Sequence, residues 1–244
     1  MRRESGTTLI EVLIAVTLLS LLSVGMLTAM RVGFMAFSKT NSKLMENRRV
    51  AGAQRVVQEQ LEGLMPVVAA CGEAPGATPA RTAFFEGQPQ TMRLVSTFSL
   101  QQGWRGQPQI LELFVIPGED GKGVRLVVNE IPYTGPAGTA QLCTGRTRDP
   151  QTGGTLAVFA PVQEGPHSFV LADKLAYCRF SYFTIPLDRN VPPHWTPNWN
   201  VAGWPYAARI EMAPIEPDPS RLQPITVTAP IHIHRSPDIQ YVDY

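Results

Sequence analysis

The chain opens with "MRRESGTTLIEVLIAVTLLSLLSVGMLTAM", residues Met1–Met30. One residue in that stretch does not fit its surroundings. From Val12 to Met30 the side chains are almost all apolar, and a helix of that length reaches across a bilayer core at about 1.5 Å per residue. Glu11 puts a carboxylate at the head of this run. On insertion scales such a group costs roughly 2.5–3.5 kcal/mol within a membrane helix, so it requires a partner or a function.

Two simple readings account for the apolar run but not for Glu11. Arg2 and Arg3 supply the basic start of a secretory signal. Such a signal has a shorter core and a small-residue cleavage site. The residues that follow, "RVGFMAFSKTNSKLMENRRV" (Arg31–Val50), give no clear site of that kind and continue as helix. A plain anchor explains the length and leaves the carboxylate unexplained.

The spacing is informative. Gly6 is followed by four residues and then Glu11, within "GTTLIEVLIAV" (Gly6–Val16). This resembles the class III signal of type IV prepilins and pseudopilins: a short basic leader ending in Gly, Glu at the fifth mature position, then the apolar helix. The resemblance implies that prepilin peptidase cuts between Gly6 and Thr7 and N-methylates Thr7. It also implies that Glu11 pairs with the terminal amine of a neighbouring subunit, and a buried charge is tolerable when paired. The family's usual first mature residue is Phe, and this chain has Thr7.

Composition divides the rest. The chain has 244 residues with 44% hydrophobic content, enough for one sizeable domain plus an appendage. Its net charge of +1 argues against a polybasic nucleic-acid binder. All 22 prolines lie at or after Pro66. Before it, Val50, Ala53, Val57, Leu61 and Leu64 recur at steps of three or four, with Arg48, Arg49, Arg55, Glu59 and Glu62 on the other face; Val68 continues the spacing just beyond the proline, which stops the helix. The expected organisation is a leader (1–6), a membrane or filament-core helix (7–30), an amphipathic helix (31–65) and a β-rich head (66–244).

Alternation predicts strands at Thr91–Leu100, Gln109–Ile116, Gly123–Ile131, Thr155–Val162, Lys174–Ile185, Ala207–Ile215 and Pro224–His234. "PGEDGKG" (Pro117–Gly123) carries turn residues and predicts a hairpin between the second and third of these. No helical pattern recurs between strands, which disfavours a parallel α/β enzyme fold. The predicted fold is α+β and pilin-like: one long helix packed on an antiparallel sheet.

The stretch Leu171–Met212, with Phe180 and Tyr182 on a strand, Trp195 and Trp199 in a loop, then Pro205, Ile210 and Met212, looks like a pattern of pseudopilin J of type II secretion. W-type minor pilins of type IV pili are closely similar. The resemblance implies a non-enzymatic subunit without a cofactor, single-pass in the bacterial inner membrane with its head in the periplasm. Its implied partners are I- and K-type pseudopilins, or other minor pilins, at a filament tip.

Residues that suggest chemistry are few. A membrane-tethered hydrolase would need a nucleophile–base pair or a metal cluster, and neither is identifiable. Cys71 and Cys143 sit beside flexible segments and are the better candidates for a disulfide. Cys178 alternates in phase with Phe180 and Tyr182 and is expected in the core. His232 and His234 share a strand face without the further ligands of a zinc site, and "GEDGKG" lacks calcium-loop spacing. Trp195, Trp199 and Trp204 are read two ways, as an exposed partner surface or as packing for their own loop.

Overall fold

The computed structural model describes residues 9–71, 80–100, 104–119, 121–149, 152–166, 168–215 and 225–231, in two compact units, Met1–Arg48 and Arg49–Tyr244. Gly6, Thr7, His232 and His234 lie outside the described residues, and so do the side chains of Arg48, Arg49, Val50 and Ala53.

Helix α1 runs from Leu9 to Glu62. In the first unit every residue from Leu9 to Ser38 is exposed, including Leu9 at 83% and Phe37 at 72%. This stretch is long and apolar enough to cross a membrane, with a mean hydropathy of 2.3. Its hydroxyls do not demand water. Thr17 donates to the Ile14 carbonyl, Ser20 to Val16, Ser23 to Leu19 and Thr28 to Gly25, each at 2.8 Å. A helix whose hydroxyls are satisfied by its own backbone suits a solvent that offers no hydrogen bonds.

In the second unit the last turns of α1 become amphipathic. Val57 and Leu61 are buried, and Arg55 pairs with Glu59 on the exposed side at 2.9 Å. The helix stops at Glu62, earlier than the Pro66 signal predicts. Gly63 accepts the Thr97 N–H through its carbonyl at 2.9 Å, Leu64 bridges Ser96, and the Met65 N–H donates to the Val95 carbonyl at 2.8 Å. The backbone is therefore drawn off the helix by a strand edge before the proline is reached.

The strands are β1 (Val68–Cys71), β2 (Ala80–Ala83), β3 (Glu86–Gly87), β4 (Thr91–Ser99), β5 (Trp104–Pro117), β6 (Val124–Pro132), β7 (Cys143–Arg148), β8 (Thr155–Phe159), β9 (Ser168–Thr184), β10 (His194–Thr196), β11 (Ala207–Pro214) and β12 (Ile225–Pro230). A 3-10 helix covers Pro136–Leu142. The main sheet is antiparallel in the order β12-β11-β9-β6-β5-β4-β3, with β10 beside the end of β9. Two hairpins, β1-β2 and β7-β8, stand apart from it. The β5-β6 hairpin closes through Gly118–Gly123 as the turn residues predict.

Strand period decides which side each residue faces. One face of the sheet, with Met92, Leu94, Leu111, Leu113, Leu126, Val128, Phe180, Tyr182 and Ile210, packs with Val57, Leu61 and Leu64 of α1. The opposite face, carrying Val95 and Ile110, packs with Val67, Ala69, Cys71 and Phe84 under the two hairpins. Both faces of β4 and β5 are thus buried, and only one face of β9, β11 and β12 lies in the main core.

Gly87 closes the edge of the sheet. The Trp199 N–H donates to the Gly87 carbonyl at 2.8 Å. A Cβ at Gly87 would meet Trp199 Cβ and the Tyr182 ring, each at 2.7 Å. Neither neighbour is the free end of a flexible chain. Gly87→Ala is expected to destabilise the head by about 1–3 kcal/mol. Chemical denaturation followed through Trp fluorescence checks this; an unchanged midpoint would show that the edge is not closed in this way.

Candidate assembly site and head surfaces

Glu11 lies near the start of the described part of α1 and is exposed, flanked by Leu9, Ile10, Val12, Leu13 and Ile14. No ion pair of Glu11 occurs among the described residues. A carboxylate set in an apolar surface is costly to bury unless it is paired. Each exposed Leu or Ile here is worth roughly 1.5–3 kcal/mol on full burial, so the helix favours lipid or other helices over water.

The head holds a charged feature that strand patterning does not reveal. Across β3, β4, β5, β6 and β9, the register aligns Glu86, Arg93, Glu112, Asn129 and Ser168 in one row. The row is bonded throughout. Arg93 pairs with Glu86 and donates its Nε to Glu112 at 2.8 Å. Asn129 Nδ2 donates to the other Glu112 oxygen at 2.8 Å, and Ser168 Oγ donates to Asn129 at 2.5 Å.

This row also anchors the segment after β8. Arg93 donates to the Ala160 carbonyl at 2.9 Å and Asn129 to the Gln163 carbonyl at 3.0 Å. The Arg93 guanidinium lies 4.9 Å from the centroid of the Phe159 ring. Burial raises the Glu86 carboxyl above its usual value, and the attraction of Arg93 opposes that rise without cancelling it. The arrangement is structural: one guanidinium is shared by two carboxylates, and the chain above it is held down.

Cys71 and Cys143 are joined by a disulfide, with Cα atoms 5.3 Å apart. The bond ties β1 to β7 and so holds the two hairpins together over the face that carries Val95 and Ile110. Cys178 is buried as a free thiol, pushed up to about 12 by burial.

The three tryptophans separate. Trp199 and Trp204 are 8% and 6% exposed and sit in the main core, so neither presents its ring to a partner. Trp199 Nε1 donates to the Gly203 carbonyl at 3.0 Å, which folds the loop around its own ring. This corrects the exposed-surface reading for two of the three. Trp195 is half-buried on β10, with the Arg209 guanidinium 3.8 Å above its ring and Phe183 beside it at 5.3 Å.

A small cleft of about 220 Å³ lies between β8 and the segment at Gly87 and Trp199, with Glu86 at its wall. Glu86 is already committed to Arg93 and to Gln88, so the cleft offers no free ionised group. Among the described residues no three His, Cys, Asp or Glu side chains converge as metal ligands.

Comparison with known families bears on the first unit. The model of the prokaryotic N-terminal methylation motif matches residues 1–27. That match supports a type IV prepilin-like chain, handled by prepilin peptidase and assembled with other pilin-type subunits. It fits a protein anchored in the membrane by one apolar helix. No curated protein matches the chain.

Two measurements check the head chemistry. Cys178 is expected to resist a thiol-alkylating reagent in the folded protein and to take one label on unfolding without reductant, while Cys71 and Cys143 label only after reduction. Native labelling of Cys178, seen by mass spectrometry, would place it outside the core. Glu86 gives a pH dependence of defined sign. Its proton is held more tightly folded than unfolded, so its titration removes stability as pH rises from the ordinary 4.5 through the raised value. Glu86→Gln is expected to flatten that fall; an identical slope in the variant would assign the effect to another group.

Proposed function

We propose that this chain is a minor pseudopilin, most like pseudopilin J of type II secretion. It is cut between Gly6 and Thr7 and acts by assembling with other subunits at a filament tip. The observation that carries the reading is Glu11, an ionisable side chain at the start of the exposed apolar stretch of α1, within the matched motif. Cleavage would create a new amino terminus at Thr7. That cation on one subunit and Glu11 on the next neutralise each other in a medium that penalises either alone. The apolar helices supply the bulk of the attraction, and the ion pair sets their axial register.

The J-type assignment rests on the head pattern from Leu171 to Met212, and it implies I- and K-type partners, a periplasmic head and a role in protein export. The buried row of Glu86, Arg93 and Glu112 is engaged internally, which supports a binding role for the surfaces of the head.

Glu11→Leu is expected to leave processing intact while filament incorporation falls steeply, because losing the pair forfeits its register and leaves a buried amine unmatched. Fractionation of membranes and sheared filaments, with immunoblots for both forms, reads the two effects separately. Normal incorporation of the Leu variant would refute the pairing.

A further inference from the structure

The sheet face opposite Val57 and Leu61 is unevenly covered. Over β4 and β5 it lies beneath the disulfide-linked hairpins. Over β9, β11 and β12 no described strand or helix packs on it. Odd-numbered residues of β9 and β11 point to this open side: Tyr177, Arg179, Phe183, Arg209 and Glu211, with exposed Thr226 and Thr228 on β12.

Two arginines on it are held by rings rather than by carboxylates. Arg209 stacks on Trp195 at 3.8 Å, and Arg179 lies over Tyr177 at 5.0 Å. Their registers, Arg209 opposite Ser181 and Arg179 opposite Glu211, make them diagonal neighbours. Glu211 lies beside both, yet neither arginine has a carboxylate within ion-pair distance among the described residues. Arg209 Nε is buried there without a hydrogen-bond partner. Arg93, on the covered part of the same face, has two carboxylates. Beyond the end of β9 the connecting loop adds exposed Ile185, Leu187 and Val191.

We propose that this open face of β9, β11 and β12 docks an acidic segment on the head of a neighbouring pilin-type subunit. Its carboxylates would engage Arg179 and Arg209, and an apolar residue would rest on Trp195 and Phe183. Stacking fixes each guanidinium plane, so its outward N–H groups form a fork that matches a carboxylate edge-on. Arginine with Trp and Tyr is the composition that anchors protein interfaces. Charge selects the partner's chemistry. Two cations tempered by Glu211, on a chain of net charge +1, suit a short acidic segment and not a polyanion. The inference rests on the assembly reading for the identity of the neighbour.

The test places a photo-reactive phenylalanine analogue at Thr228 in the full chain, in its own membrane, and a second at Leu19 of α1 in a separate strain. The expected result is a Thr228 cross-link to an Asp- or Glu-containing head peptide of a pilin-type subunit. The link should drop to background in Arg179→Glu/Arg209→Glu, with Cys178 still protected from alkylation as proof of folding. A folded double variant that keeps the link overturns the proposal. So does a Thr228 link to a peptide without acidic residues, or to a protein of another kind. Silence at Thr228 with a Leu19 link to pilin-type subunits overturns the docking face alone; silence at both overturns the assembly reading with it.

Discussion

A helical surface of large aliphatic side chains with nothing over it is the constraint on which the rest depends. From Leu9 to Ser38 α1 has no cover in its own fold, and its hydroxyls are bonded to its own backbone. Such a surface is stable only in lipid or against other helices. Into it the sequence sets one carboxylate, Glu11, with no cation beside it among the described residues. The apolar surface favours a cover of lipid or helices, and in the proposed reading the carboxylate meets a positive charge on that cover.

The head is built the opposite way, with its apolar surface covered from within. Both faces of β4 and β5 are buried, one against α1 and the other beneath two hairpins joined by Cys71–Cys143. Under those hairpins the row from Glu86 to Ser168 bonds five strands laterally and grips the backbone at Ala160 and Gln163. A buried charge network is weak evidence for stability, but breaking it by one partner is costly, so it holds one arrangement against slipped alternatives.

The sequence was legible where local period dominates. The apolar helix and the longer strands of the main sheet follow from alternation and turn residues, and the helix–sheet fold follows from them. β1, β2, β3 and β10 escaped because two to four residues carry no period, and β7 because CTGRTR shows no apolar alternation; they are strands only by virtue of their neighbours. The 3-10 helix at Pro136–Leu142 sits in a Pro/Gly segment that reads as loop. Arg93, Glu112 and Asn129 are buried although nothing local announces it, because the hairpins cover that side. Trp199 and Trp204 were ambiguous for the same reason: nothing local states that their loop folds back onto Gly87. Glu11 was legible because a charge in a long apolar run contradicts its context at the level of composition alone.

In the proposed reading the two units divide one task, the helix supplying attraction and register and the head supplying shape. The most direct test of this division is mass spectrometry of the amino terminus of protein taken from its own membrane. A chain beginning at methylated Thr7, with Glu11 and the apolar run retained, is the predicted species. A chain still beginning at Met1, or one cut beyond Ser38 so that the apolar run is gone, would contradict the account.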